Sequence, residues 1–148
     1  MKFKLDHIGY VVNDLNHSIN YYKNIFGLKK ITKIIHEKAH GVKLIFIELG
    51  HNSMPVLELI TPTSKKSKVY NFLKKNGDSF HHFAYEVKDI KKTIEYLKKK
   101  GSILIDTIVP GAGHNNTKTA WIYTSNKQLV ELIEYQKNKK NYSRFTLG

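Results

Sequence analysis

"LDHIGYVV" at residues 5–12 returns 75 residues later as "FHHFAYEV" at residues 80–87. Each is a short run of β-branched and aromatic residues with a histidine in its third position, His7 in the first and His82 in the second. Such composition predicts strands, and strand side chains alternate between two faces. Leu5, His7, Gly9 and Val11 then share one face, and Phe80, His82, Ala84 and Glu86 share the equivalent face of the second copy. Gly9 and Ala84 are small, which leaves room beside each histidine for a ligand to approach.

The repeat extends well past these strands. Asp14 corresponds to Asp89, Ile19 to Ile94 and Tyr21 to Tyr96, and "VLELI" at 56–60 reappears as "LVELI" at 129–133. A repeat that keeps its parts in order predicts duplication of one unit. Leu15, Ile19, Tyr22 and Phe26 are spaced as one face of a helix, capped near Asn13–Asp14 and stopped by Gly27. Ile90, Ile94 and Leu97 form the second copy's apolar stripe, with Asp89 as cap and Gly101 as stop. Three further strands are predicted in each copy, over 29–36, 42–49 and 55–61, then over 102–109, 117–124 and 128–135. The order is β-α-β-β-β, twice, in a single domain over 1–136. Module one covers about 4–62 and module two about 79–136. Between them, 63–77 is predicted as a linker helix that turns Val69, Phe72 and Leu73 inward. "PGAGHNN" at 110–116 is a Gly-rich loop of the kind that turns the chain or moves over a ligand, and 137–148 is a polar, basic tail.

Composition excludes several functions. A chain of 148 residues with 41% apolar content is long enough for one folded core. It has no apolar run near the roughly 20 residues that span a bilayer, and no secretory pattern at its start, so a cytoplasmic protein without a membrane partner is expected. The absence of cysteine rules out disulfides, thiolate metal sites and cysteine nucleophiles. Of 25 basic residues behind the net charge of +13, only Arg144 is arginine. Arginine is the usual reader of phosphate pairs and base edges, so no nucleic-acid partner is expected. The lysines form a solvated surface and a diffuse positive field suited to a small anionic substrate.

The chemistry concentrates in four residues. Glu58 and Glu131 each sit among aliphatics, where a carboxylate is costly to bury unless it pairs, takes a proton or binds a cation. A lone strand histidine is ordinarily packed core, and a lone strand glutamate is ordinary on a one-sided sheet. His81 and Glu134 are read that way. His7, Glu58, His82 and Glu131 differ because they recur as a pair in each copy. If the copies face each other, they make one site of two nitrogens and two oxygens. That donor set suits one divalent ion such as Co, Ni, Mn, Zn or Fe, with Mg disfavoured by two imidazoles.

The ordered segments "LDHIGYVVNDLNHSINYYKNIFGL", "HGVKLIFIELG", "LELITP", "NFLKKNGDSFHHFAYEV" and "LVELIEY" resemble the vicinal oxygen chelate (glyoxalase/bleomycin resistance/dioxygenase) superfamily. The closest resemblance is to methylmalonyl-CoA epimerases, with glyoxalase I next. The resemblance implies an α+β fold in which two paired βαβββ modules form a curved mixed sheet around one metal cleft. It places His7, Glu58, His82 and Glu131 on the family's metal ligands, and Gly9, Ala84, Lys118 and Tyr123 along the substrate cleft. Tyr123 stands where those epimerases usually carry a histidine, and the glycines before their last strand are missing.

The implied activity is proton transfer at the carbon next to the carbonyl of an acyl-CoA-type thioester, with Glu131 and Glu58 as the catalytic carboxylates. A homodimer is implied as well. The competing expectations are a lactoylglutathione lyase of the glyoxalase I type, an iron oxygenase built on His7, His82 and Glu131, and a metal-free binding protein.

Overall fold

The computed structural model describes residues 1–50 and 56–136. The tail expected over 137–148 lies outside the described residues. Among those described, the chain forms two compact units, one of residues 8–81 and the other of residues 1–7 with 82–136. The strand β1 (Phe3–Val11) begins in one unit and ends in the other. Its repeat β5 (Ser79–Val87) does the same, and the changeovers fall at His7 and His82.

In the unit of residues 8–81, β1 is followed by α1 (Leu15–Phe26), β2 (Ile35–Glu37), β3 (Val42–Glu48), β4 (Val56–Pro62) and α2 (Tyr70–Asn76). The strands lie in the order β2-β3-β4-β1, with β4 parallel to β1 and antiparallel to β3. One face of this sheet buries Ile45, Ile47, Leu57 and Leu59 against Leu15, Ile19 and Tyr22 of α1. The other buries Leu44, Phe46, Val56 and Ile60, against which Val69, Phe72 and Leu73 pack as expected. Both faces being covered explains why all of Val56–Thr61 is buried, without the alternation of a one-sided strand.

The other unit carries α3 (Ile90–Lys99), β6 (Ile103–Leu104), β7 (Val109–Gly111), β8 (Thr117–Tyr123) and β9 (Leu129–Glu134). Its strands lie in the order β5-β9-β8-β6, with β7 also paired to β8. Ala120, Ile122, Val130 and Leu132 pack against Ile90 and Ile94 of α3. The opposite face is unlike its counterpart, because its central side chains are histidine, glutamate and threonine.

The duplication holds down to register. In one unit Glu58 lies opposite Gly9 on one side and Phe46 on the other. In the other, Glu131 lies opposite Ala84 and Trp121. The helix starts repeat as well. Asp14 accepts from His17 N at 2.9 Å and Asp89 from Lys92 N at 3.0 Å, each closing an orphan donor of the first turn. Gly27 ends α1 at φ 65°, the left-handed conformation glycine takes without strain.

Three boundaries differ from expectation. The strand predicted over 29–36 shrinks to Ile35–Glu37, joined by one isolated bridge between Ile31 and Ile47. The strand predicted over 102–109 is broken after Leu104, because the Asp106 carboxylate accepts from Thr107 N at 2.8 Å and draws the backbone into a turn. The linker helix begins at Tyr70, since the preceding residues are held by Thr63 N to Gly41 O at 2.9 Å and Lys68 N to His40 O at 3.2 Å. Among the described residues no helix is long and apolar enough to cross a membrane.

Candidate metal centre

The histidine face of the second unit is built from three strands and one turn. His7 and His82 are fully buried, and their Nε2 atoms lie 3.1 Å apart. Asp6 fixes the orientation of His7, its carboxylate accepting from Nδ1 at 2.8 Å. A proton committed to Nδ1 leaves Nε2 with its lone pair, the tautomer that binds a cation, and the carboxylate strengthens that nitrogen as a donor. His82 is held by Trp121, whose ring meets it edge-on at 4.7 Å between centroids.

Glu131 completes the convergence. Its Oε2 lies 3.4 Å from His7 Nε2 and 3.7 Å from His82 Nε2. Ligand atoms about 2.0–2.2 Å from one ion sit roughly 3.0 Å apart at right angles and roughly 3.4 Å apart at tetrahedral angles. The observed separations of 3.1 and 3.4 Å fall on such edges, and the third, 3.7 Å between Glu131 Oε2 and His82 Nε2, is wider than a tetrahedral edge. Nitrogen and oxygen donors at this spacing fit a divalent transition ion or zinc.

The electrostatics agree. Burial by itself would push the Glu131 carboxyl up. The charge of His114 and its hydrogen bonding are the largest influences that oppose burial, and the carboxyl is held well below the usual carboxylate range. Glu131 is therefore ionised and ready to hold a cation.

His114 is the residue that sequence reasoning missed. It sits at the end of a 3-10 turn, Ala112–His114, inside the Gly-rich segment read as a loop. The ring is buried, lies nearly parallel to His7 at 5.3 Å between centroids, and brings Nε2 to 3.5 Å from Glu131 Oε1. No repeat signal marked it, because 75 residues earlier the chain has Ala39. Trp121 and Phe46 were findable, since "KTAWI" at 118–122 repeats "KLIFI" at 43–47.

The remaining sequence candidates fall in several places. Glu58 belongs to the unit of residues 8–81, where it is buried and keeps the register that Glu131 has in its own unit. Gly9 and Ala84 are the direct strand partners of Glu58 and Glu131. Tyr123 shares the strand face of Thr119 and Trp121 but lies at the exposed end. Lys118 falls on the opposite face, the side that packs α3, and its ammonium meets Glu134 at 3.1 Å. Glu134 in turn accepts from Ile90 N at 3.0 Å, so Lys118 supports the start of α3 instead of the histidine face. The alternation of β8 decides this, since Lys118 is one residue out of step with Trp121.

A divided α+β chain, a duplicated βαβββ order and a histidine–carboxylate face define a scaffold of the vicinal oxygen chelate type. Residues 6–121 match the Glyoxalase/Bleomycin resistance protein/Dioxygenase superfamily, and the chain belongs to that superfamily. The matched stretch includes His7, Glu58, His82 and His114 and ends before Glu131.

Within the superfamily, the chain is similar to the mitochondrial methylmalonyl-CoA epimerase of Dictyostelium discoideum. The two are 32% identical over 134 residues, which is 88% of this chain and 78% of that protein. Among solved structures, a hypothetical protein of Bacillus halodurans C-125 superposes with a TM-score of 0.81 at 30% identity, covering 95% of this chain and all of that one. The methylmalonyl-CoA epimerase of Mycobacterium tuberculosis superposes with a TM-score of 0.78 over 89% of this chain and 87% of its own. At 24% identity it attests the fold alone.

Proposed function

We propose that this protein is a divalent-metal-dependent enzyme that moves a proton at the carbon next to the carbonyl of an acyl-CoA-type thioester. The observation that carries the reading is the convergence of His7 Nε2, His82 Nε2 and Glu131 Oε2 within 3.1–3.7 Å of one another. The name of the Dictyostelium relative supplies the substrate class, a methylmalonyl-CoA-like thioester. In this reading His7, His82 and Glu131 hold the ion together with Glu58, which has in its own unit the register of Glu131.

A bound divalent ion supplies positive charge to the carbonyl oxygen, which makes the neighbouring C–H acidic enough to lose its proton near neutral pH. The chain's own residues do the rest. Asp6 orients the His7 ring, Trp121 packs edge-on against His82, and His114 lies beside the carboxylate of Glu131, which is buried. Glu131 in its ionised form takes the proton. Inversion would need a protonated carboxyl, for which Glu58 is the candidate, to return one to the opposite face, and the two exchange roles in the reverse direction.

Two histidines with two glutamates also match the ligand set of a glyoxalase I type lyase, which is the second reading. One experiment separates them. The protein is loaded with Co, Ni, Mn and Zn in turn, and its ion content is measured. The loaded protein is then assayed in deuterated water with methylmalonyl-CoA and, in parallel, with the hemithioacetal of glutathione and methylglyoxal. About one ion per chain and deuterium entering the α-position of the thioester are expected. Changing His7→Ala together with His82→Ala should abolish both. A wild-type protein that takes up none of the four metals would sink the reading, and turnover of the hemithioacetal alone would replace it with the second.

A further inference from the structure

We propose that His114 is a positioning residue: its Nε2 anchors Oε1 of Glu131, so that this carboxylate offers only Oε2 to a cation held by His7 and His82. The inference rests on the metal reading above. The two oxygens of Glu131 are addressed from different sides. Oε2 faces the two strand histidines, at 3.4 and 3.7 Å, whereas Oε1 faces His114 at 3.5 Å. An N–H directed at an ionised oxygen is a charge-assisted contact, and it competes with the cation for that lone pair.

The turn that carries His114 is built to hold the ring in place. Asn115 and Asn116 follow it at φ 54° and 55°, two consecutive left-handed residues that reverse the chain. Asn116 N closes the turn on Gly111 O at 2.9 Å. Gly111 has no room for a side chain, since a Cβ there would meet Thr119 Cγ2 at 2.6 Å and His114 Cδ2 at 3.0 Å. Stacking against His7 then leaves the edge of the His114 ring, and not its face, turned to Glu131. The segment read from sequence as a turn or a moving loop is thus a closed turn, tied by one backbone hydrogen bond and packed against β8.

The functional consequence is an open position. A carboxylate free at both oxygens can chelate an ion through both and fill a site that a substrate carbonyl needs. Anchoring Oε1 keeps Glu131 a one-oxygen ligand. It also holds Oε1 toward His114, so that Oε2 is the oxygen of Glu131 that would face a cation or accept a proton.

The test has two arms. In metal-free protein labelled with ¹⁵N-histidine, the His114 Nε2 resonance should move between wild type and Glu131→Ala. An unmoved resonance overturns the anchor whether or not the protein takes up metal. In the second arm Co(II) is titrated into wild type, His114→Ala and His114→Gln. His114→Ala should bind about 10–100-fold more weakly, as loss of an outer-shell partner does. Its visible absorption should weaken as Glu131 turns to two-oxygen binding. His114→Gln keeps a side-chain N–H and should recover most of the affinity and the wild-type spectrum. Wild-type affinity and spectrum in His114→Ala would overturn the proposal. So would a count of three coordinated imidazoles in wild type falling to two in His114→Gln, which would make His114 a ligand. If wild type takes up no ion, the metal reading fails by itself and the ¹⁵N arm still decides the anchor.

Discussion

At the scale of the residue, Glu131 shows how a buried carboxylate is made useful. Its burial alone opposes ionisation, yet three histidines on two strands and a turn face its oxygens and keep it charged. The folded form therefore holds its proton less tightly than the unfolded chain, whose carboxyl titrates near 4.5. A lowered folded pKa contributes stability that is present above that value and lost as pH falls through the folded pKa. In metal-free protein, the stability advantage of wild type over Glu131→Gln should thus shrink as pH drops below about 4.5. Denaturant unfolding at a series of acid pH values measures this. A difference that stays constant would mean Glu131 is not held ionised by its neighbours.

At the scale of the element, the helix starts are the clearest products of duplication. Asp14 and Asp89 cap α1 and α3 through equivalent carboxylate bonds, and the hydroxyls of Ser18 and Thr93 donate to the backbone oxygens of those two aspartates at 2.9 and 2.7 Å. The second start is reinforced, because Glu134 from β9 also accepts from Ile90 N. Asp14→Ala should cost about 1 kcal/mol of folding stability, the usual loss of a single cap. Asp89→Ala should cost less, since Glu134 still neutralises part of that helix end, and the pair Asp89→Ala with Glu134→Gln should cost more than the sum of its parts. Equal losses for Asp14→Ala and Asp89→Ala, with simple additivity in the pair, would show that the Glu134 bond carries no weight.

At the scale of the whole molecule, the dominant property is the charge of +13, carried almost wholly by lysine. Such a field speeds the approach of an anion and acts over about 10 Å in 0.1 M salt. With Lys118 engaged by Glu134, the effect belongs to the surface as a whole and not to one contact. For an anionic thioester, kcat/KM should fall steadily with rising ionic strength while kcat holds. A kcat/KM independent of salt would leave the lysines as solvated surface only.

Much of this fold was legible in the sequence because its information is local and is written twice. Strand alternation and helical spacing assign faces residue by residue, and the repeat fixed which strands correspond. Glu58 and Glu131 therefore fell into equivalent register, opposite Gly9 and Ala84, without any knowledge of contacts. What the tertiary structure decided lies where the copies differ or where the backbone leaves its regular path. The edge strands broke where a side chain captured the chain, as at Asp106. Asp6 became the partner of the His7 ring through a side-chain rotamer that periodicity does not encode. His114 reached Glu131 only because two left-handed asparagines and a glycine without space for a Cβ folded its turn onto β8. A histidine on a turn has no period to betray its direction, and the partner that gives it meaning is 17 residues away in sequence and 3.5 Å away in space.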